Sequence, residues 1–107
     1  MADKPLGPVE TGGDLRLSGF HDLDPGEKEE AVRVVTHYER RFKEICDGLD
    51  RIKVTLKKIH HTERSDMYEL HASVKDKRGH YEANIVGRKL FIALDEVLKK
   101  IENEISK

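Results

Sequence analysis

The sequence predicts an α+β fold in the order β-α-β-β-β-α, with two helices packed on one face of a four-stranded mixed sheet. Three observations predict it. Four short segments alternate apolar and polar residues with a period of two, as half-buried strands do. Two longer segments repeat apolar residues at helical spacing. The last three alternating segments are joined by short polar turns, whereas one of the helical segments separates the first two. The last three therefore form an antiparallel meander, and the first pair is parallel, joined by a right-handed crossover.

Residues 1–13, "MADKPLGPVETGG", hold two of the three prolines and three glycines and show no period, so a disordered tail is expected there and a single domain over 14–107. The first strand is "DLRLSGF", Asp14 to Phe20, with Leu15 and Leu17 on one side and Arg16 and Ser18 on the other. A helix follows from "DLDPGEKEE". Asp24 is the N-cap, Pro25 suits the first helical position, and Glu27 stands where a capping box needs it. Ala31, Val34, Val35, Tyr38, Phe42 and Ile45 form its apolar stripe, and Asp47-Gly48 marks its expected end. The second strand is "RIKVTLKKI", with Ile52, Val54 and Leu56 inward and Arg51, Lys53, Thr55 and Lys57 outward. "HHTERSD" is a polar turn. The third strand, "YELHASVK", turns Tyr68, Leu70, Ala72 and Val74 inward. "DKRG" is a tight turn in which Gly79 is expected to supply a positive φ. The fourth strand, "HYEANIV", turns Tyr81, Ala83 and Ile85 inward. The last helix starts near Lys89 or Leu90 and buries Leu90, Leu94, Val97, Leu98, Ile101 and Ile105.

Composition removes several function classes. No apolar run approaches the ~20 residues of a membrane span, and no secretory signal is visible, so a cytoplasmic protein is expected. Cys46 is the only cysteine, which excludes an internal disulfide, and it reads as a small apolar residue at a helix end. The formal net charge of −1 hides an asymmetry: residues 51–89 carry ten basic and five acidic side chains, whereas residues 1–50 carry seven and twelve. A nearly neutral chain with one basic region can bind a polyanion at that region.

No phosphate-binding glycine loop, nucleophile elbow or zinc ribbon is present, so neither an enzyme nor a cofactor is expected. His60, His61 and Glu63, with His71 and His80 on nearby strands, make the most metal-like cluster. Adjacent strand residues point to opposite faces, so His60 and His61 do not converge on one ion and no metal site is expected. The neighbouring carboxylates Glu29/Glu30 and Asp95/Glu96 face different ways on their helices and read as solubilising surface. Tyr68 and Tyr81 belong to the core, and Phe20 anchors a loop rather than stacking on a ligand. The face of the sheet away from the helices is left open and basic. It lacks aromatic side chains for stacking on bases, which points to a folded RNA surface met through its phosphates.

From Tyr68 to Ile105, "YELHASVKDKRGHYEANIVGRKLFIALDEVLKKIENEI" resembles the ribosome hibernation promoting factor and ribosome-associated inhibitor family, also called sigma-54 modulation proteins. The family's turn glycine falls on Gly79 and its next-strand alanine on Ala83. Its terminal helix pattern falls on Phe91, Ala93, Leu94, Asp95, Val97, Leu98, Lys100, Ile101 and Glu102. Asp24-Pro25 through Glu39-Arg40 is similar to the family's opening helix. The chain departs from the pattern at Val86, Arg88, Lys89 and Asn103.

The resemblance implies a short family member, without the C-terminal dimerisation domain of long members. Such a protein binds small-subunit rRNA near the decoding centre, blocks translation and protects idle ribosomes under stress. By position it nominates Arg33, Arg40 and Arg41 on the first helix and Lys100 on the second for RNA contact. The open sheet adds Arg51, Lys53, Lys57 and Lys75, and the approach to the last helix adds Arg88 and Lys89. Expected partners are the small ribosomal subunit and its rRNA, with no membrane and no small-molecule substrate; off the ribosome the chain is expected to be a monomer. Two alternatives stand beside this reading. One is a double-stranded-RNA-binding module acting off the ribosome, since "GRK" is similar to that class's basic helix start. The other is a protein-interaction domain that binds no RNA.

Overall fold

The computed structural model describes residues 14–60 and 66–107. The tail expected over 1–13, and His61 and Glu63 of the expected polar turn, lie outside the described residues. Strands β1 (Asp14–Ser18), β2 (Arg51–His60), β3 (Asp66–Lys75) and β4 (His80–Gly87) and helices α1 (Pro25–Ile45) and α2 (Leu90–Ile105) follow the expected order. The sheet runs β1-β2-β3-β4, with β1 parallel to β2 and the other neighbours antiparallel.

Burial follows the alternation. Leu15, Ile52, Val54, Leu56, Leu70, Ala72 and Val74 join Ala31, Val35, Tyr38 and Phe42 of α1 and the whole expected stripe of α2 in one core. Tyr81, Ala83 and Ile85 are only half-buried, because β4 is an edge strand whose main cover is α2. Glu39 joins the interior at 1% exposure, although its charge set it outside the expected stripe. Among the described residues no buried side-chain polar atom lacks a hydrogen-bond partner, which is the condition for burying such a group.

The ends of the elements show which local signals were decisive. Asp24 accepts from the Glu27 amide at 2.9 Å, and the Glu27 carboxylate accepts from the Asp24 amide at 3.3 Å, completing the capping box. The first strand stops at Ser18, two residues before its expected end. Gly19 then turns at φ 82°, and Phe20 begins a short 3-10 turn, buried at 1% exposure as the expected loop anchor. A Cβ on Gly19 would lie 2.1 Å from the Leu56 carbonyl oxygen, so only glycine lets this backbone lie against β2. Helix α1 ends at Ile45, and Gly48 makes its turn (φ 69°) beyond the extended cap residue Cys46.

The expected positive φ at Gly79 is not found. Asp76 shapes that hairpin instead. Its carboxylate accepts from the amides of Arg78 (2.9 Å) and Gly79 (3.0 Å), a side-chain mimic of a turn. The other carboxylate oxygen accepts from the Asp47 amide at 3.0 Å, and the Lys77 amide donates to the Asp47 carbonyl at 2.9 Å. The β3–β4 hairpin is thereby fastened to the α1–β2 connection. Burial alone would raise the Asp76 pKa, but the three amides, with the Cys46 thiol, outweigh it and hold the carboxyl below its ordinary value. Burial and the neighbouring Asp76 push the Cys46 thiol up to about 11.

These ends set the stability of the fold. Gly19→Ala should cost more than about 3 kcal/mol in urea unfolding, because αL strain and a backbone clash add. Gly79→Ala, where nothing lies within 4 Å of the new Cβ, should change stability by less than about 0.5 kcal/mol. Asp76→Asn turns an N–H donor toward the Asp47 amide and should cost about 2 kcal/mol at neutral pH. A carboxyl with a lowered folded pKa stabilises above its unfolded pKa of about 4 and loses that contribution as pH falls through the folded value. Acid unfolding of the wild type should therefore show a steeper fall below pH ~4 than that of Asp76→Asn.

Candidate nucleic-acid interface

Period-two alternation places Arg51, Lys53, Thr55 and Lys57 of β2 on the face opposite the helices, because Ile52, Val54 and Leu56 are buried beneath them. Register builds rows across this face. Arg51 stands opposite Lys75, which stands opposite His80. Arg16 stands opposite Lys53, followed by Ser73 and Glu82. Thr55 is followed by His71 and Asn84, and Lys57 by Glu69 and Val86. The basic residues thus concentrate on β1, β2 and the end of β3; the acids lie on β3 and β4, and Asp14 stands opposite Arg51 at the start of β1.

Those acids have local partners. His71 Nε2 lies 3.1 Å from one oxygen of Glu82, and His80 Nδ1 lies 3.4 Å from the other. Asn84 donates to Glu69 at 3.3 Å. Lys53 and Lys57 are exposed and make no ion pair among the described residues. Thr55, Lys57, Glu69, His71 and Asn84 line a shallow depression in the middle of the face.

The helix-layer candidates do not join this surface. Arg33 and Arg40 lie on the outer side of α1 around a depression shared with Glu29, Val32, Thr36 and His37, and Arg33 pairs with Glu30 at 3.1 Å. Lys100 lines a groove with Ile85, Glu96, Lys99 and Asn103 between α2 and β4. Arg88 and Lys89 are exposed where β4 passes into α2, whose N-terminus has no side-chain cap. The ten nominated residues therefore fall on two opposed faces and the link between them.

Arg41 is committed within the fold. Its Nε donates to Glu102 at 2.8 Å, and a terminal nitrogen reaches the same oxygen. The hydrogen bonds and charge of Glu102 hold this guanidinium above its ordinary pKa. One turn away, the Tyr38 hydroxyl donates to Asp95 at 2.8 Å, and burial together with Asp95 pushes its pKa above the usual phenol range. Tyr38 and Arg41 of α1 thus meet Asp95 and Glu102 of α2 in a polar seam. Asp95, read from sequence as plain surface, is half of one of these contacts.

Two exposed cations stand beside the residues nominated for RNA contact. Arg16, expected on the outward side of the first strand, lies opposite Lys53 through the parallel pairing. Lys99 adjoins Lys100 in the α2 groove; the helical spacing of the buried stripe could have placed both outside. Among the described residues no group of three histidine, cysteine or carboxylate side chains is placed to hold a metal ion, and no helix is long and apolar enough to cross a membrane.

Comparison with known proteins adds a likeness of fold. No family model and no curated protein matches the sequence. A solved structure of a ribosomal subunit interface protein from Coxiella burnetii superposes with a TM-score of 0.56, at 15% identity, over 88% of this chain and 93% of that one.

The seam yields a prediction that separates fold from surface. Arg41→Glu sets a second acid against Glu102 and should lower the melting temperature. Arg40→Glu, on the exposed side of the same helix, should leave it within about 3 °C of the wild type.

Proposed function

We propose that this chain is a ribosome-associated factor of the short hibernation type. It binds small-subunit rRNA near the decoding centre, occupies the place of translating ligands and stabilises idle ribosomes in the cytoplasm. Off the ribosome it acts as a single copy. The observation that carries the reading is the cationic sheet face left uncovered by the helices, with Arg16, Arg51, Lys53, Lys57 and Lys75 directed outward. The Coxiella burnetii protein, named for the interface between ribosomal subunits, shares the fold over nearly all of both chains and supplies the context.

Lysine and arginine side chains supply most of the affinity for rRNA, because each phosphate they neutralise releases counterions. The helix-layer cations Arg33, Arg40 and Lys100 face the other way, which suits a protein lodged between rRNA segments rather than lying on one. Arg88 and Lys89 stand beside the positive end of the α2 dipole, so cationic side chains and helix field act on an anion in the same sense. The chemistry is binding alone, with no bond made or broken.

Sedimentation of cell lysate on sucrose gradients tests the proposal. The chain should travel with small subunits and whole ribosomes. Raising salt from about 50 to about 200 mM should strip it, since six or more phosphate contacts lose on the order of a thousandfold in affinity over that range. Combining Lys53→Glu with Arg40→Glu should move the folded protein to the top of the gradient. Absence from ribosomal fractions in both growing and stationary cells would refute the reading.

A further inference from the structure

We infer that β2 is a track for one extended sugar-phosphate strand, laid lengthwise along the open sheet face; the inference rests on the polyanion reading of that face. Strand geometry repeats a side chain on the same face every about 6.7 Å. Arg51, Lys53, Thr55 and Lys57 therefore form a straight row of three cations and one hydroxyl. An extended nucleic-acid strand presents successive phosphates at an interval of the same order, so one side chain can meet each phosphate in turn.

The two sides of the track differ, and the difference selects a single strand. On the β1 side, Arg16 stands opposite Lys53 and adds charge of the same sign, whereas Asp14 stands opposite Arg51 at the end of the row. On the other side, β4 lies two strand spacings from β2, about 9.6 Å, and carries Glu82 in the row of Lys53. A second phosphate row over β4 would meet that carboxylate. A duplex straddling the sheet is therefore disfavoured where one strand is not. Lys57 stands directly opposite Glu69 and Arg51 directly opposite Asp14, whereas the immediate neighbours of Lys53 are Arg16 and Ser73, which makes Lys53 the stronger contact. The described aromatic rings of Tyr68 and Tyr81 point to the helix side, so the track holds the backbone and leaves base sequence unread.

The test is fluorescence anisotropy with the full chain, using a labelled short uridine homopolymer and a labelled RNA duplex of equal length. The homopolymer should bind with Kd between about 10⁻⁴ and 10⁻⁶ M at physiological salt, with a log–log salt slope near −2 for three cations at about 0.7 each. Lys53→Gln should reduce the slope by about 0.7, more than either Arg40→Gln or Lys100→Gln does. Melting temperatures of these exposed variants confirm that each is folded. The track is overturned if the homopolymer does not bind, if the duplex binds as tightly, or if the helix-layer variants lose affinity while Lys53→Gln does not. Homopolymer binding through Lys53 in a chain absent from ribosomal fractions would support the track and overturn the ribosomal role. Ribosome binding with no Lys53-dependent strand binding would do the reverse.

Discussion

A slip of one residue between β2 and β3 would carry Ile52, Val54 and Leu56 into water and Lys53 and Lys57 into the core. That exclusion is the constraint on which the molecule rests. Both helices occupy one face of the sheet, so each strand has only one side on which apolar residues can be buried, and the register of every pairing follows. The basic face is the complement of the core: whatever the alternation keeps out of the interior is displayed on the open side. Two local devices hold this arrangement at its ends. Gly19 lets the end of β1 lie against the Leu56 carbonyl, and Asp76 ties the β3–β4 hairpin to the connection entering β2. Both act on the neighbours of β2, the strand richest in outward cations.

Much of this was legible in the sequence because period and capping are local. Asp24, Pro25 and Glu27 announce α1 within four residues, and the structure closes both halves of the capping box. The α2 stripe was legible for the same reason. Gly79 was misread because a glycine in a tight turn is ordinarily there for positive φ, whereas the work is done by Asp76 three residues earlier. Its reach to Asp47 crosses 29 positions, and no local pattern encodes that distance. Arg41 was likewise indistinguishable from Arg40 by type; only the packing of α1 on α2 shows that one meets Glu102 and the other meets solvent. Arg16 was legible on the open face from the alternation of the first strand, and only its register opposite Lys53 is a relation between segments separated by a whole helix.

The polar seam changes the weight of the family likeness in α2. Asp95 and Glu102, two positions that carry that likeness, are the acceptors for Tyr38 and Arg41. A pattern of this kind reports how two helices are joined, which is a property of the fold. The cations that distinguish this chain, on β2 and at Arg88 and Lys89, lie outside the helical pattern. Likeness and surface chemistry are therefore separate sources of information, and they speak to different parts of the molecule.

Burial, and after it the same Asp76 that orders the hairpin, sets the chemistry of the only cysteine. With its thiol pushed up to about 11, Cys46 stays in the thiol form at neutral pH. Oxidants and disulfides react with thiolate, so sulfenic acid formation and mixed-disulfide exchange find almost no substrate here. Burial first and the hairpin carboxylate second thereby keep the chain's one thiol off the oxidation ladder, while the amide bonds of that carboxylate hold the hairpin to the sheet.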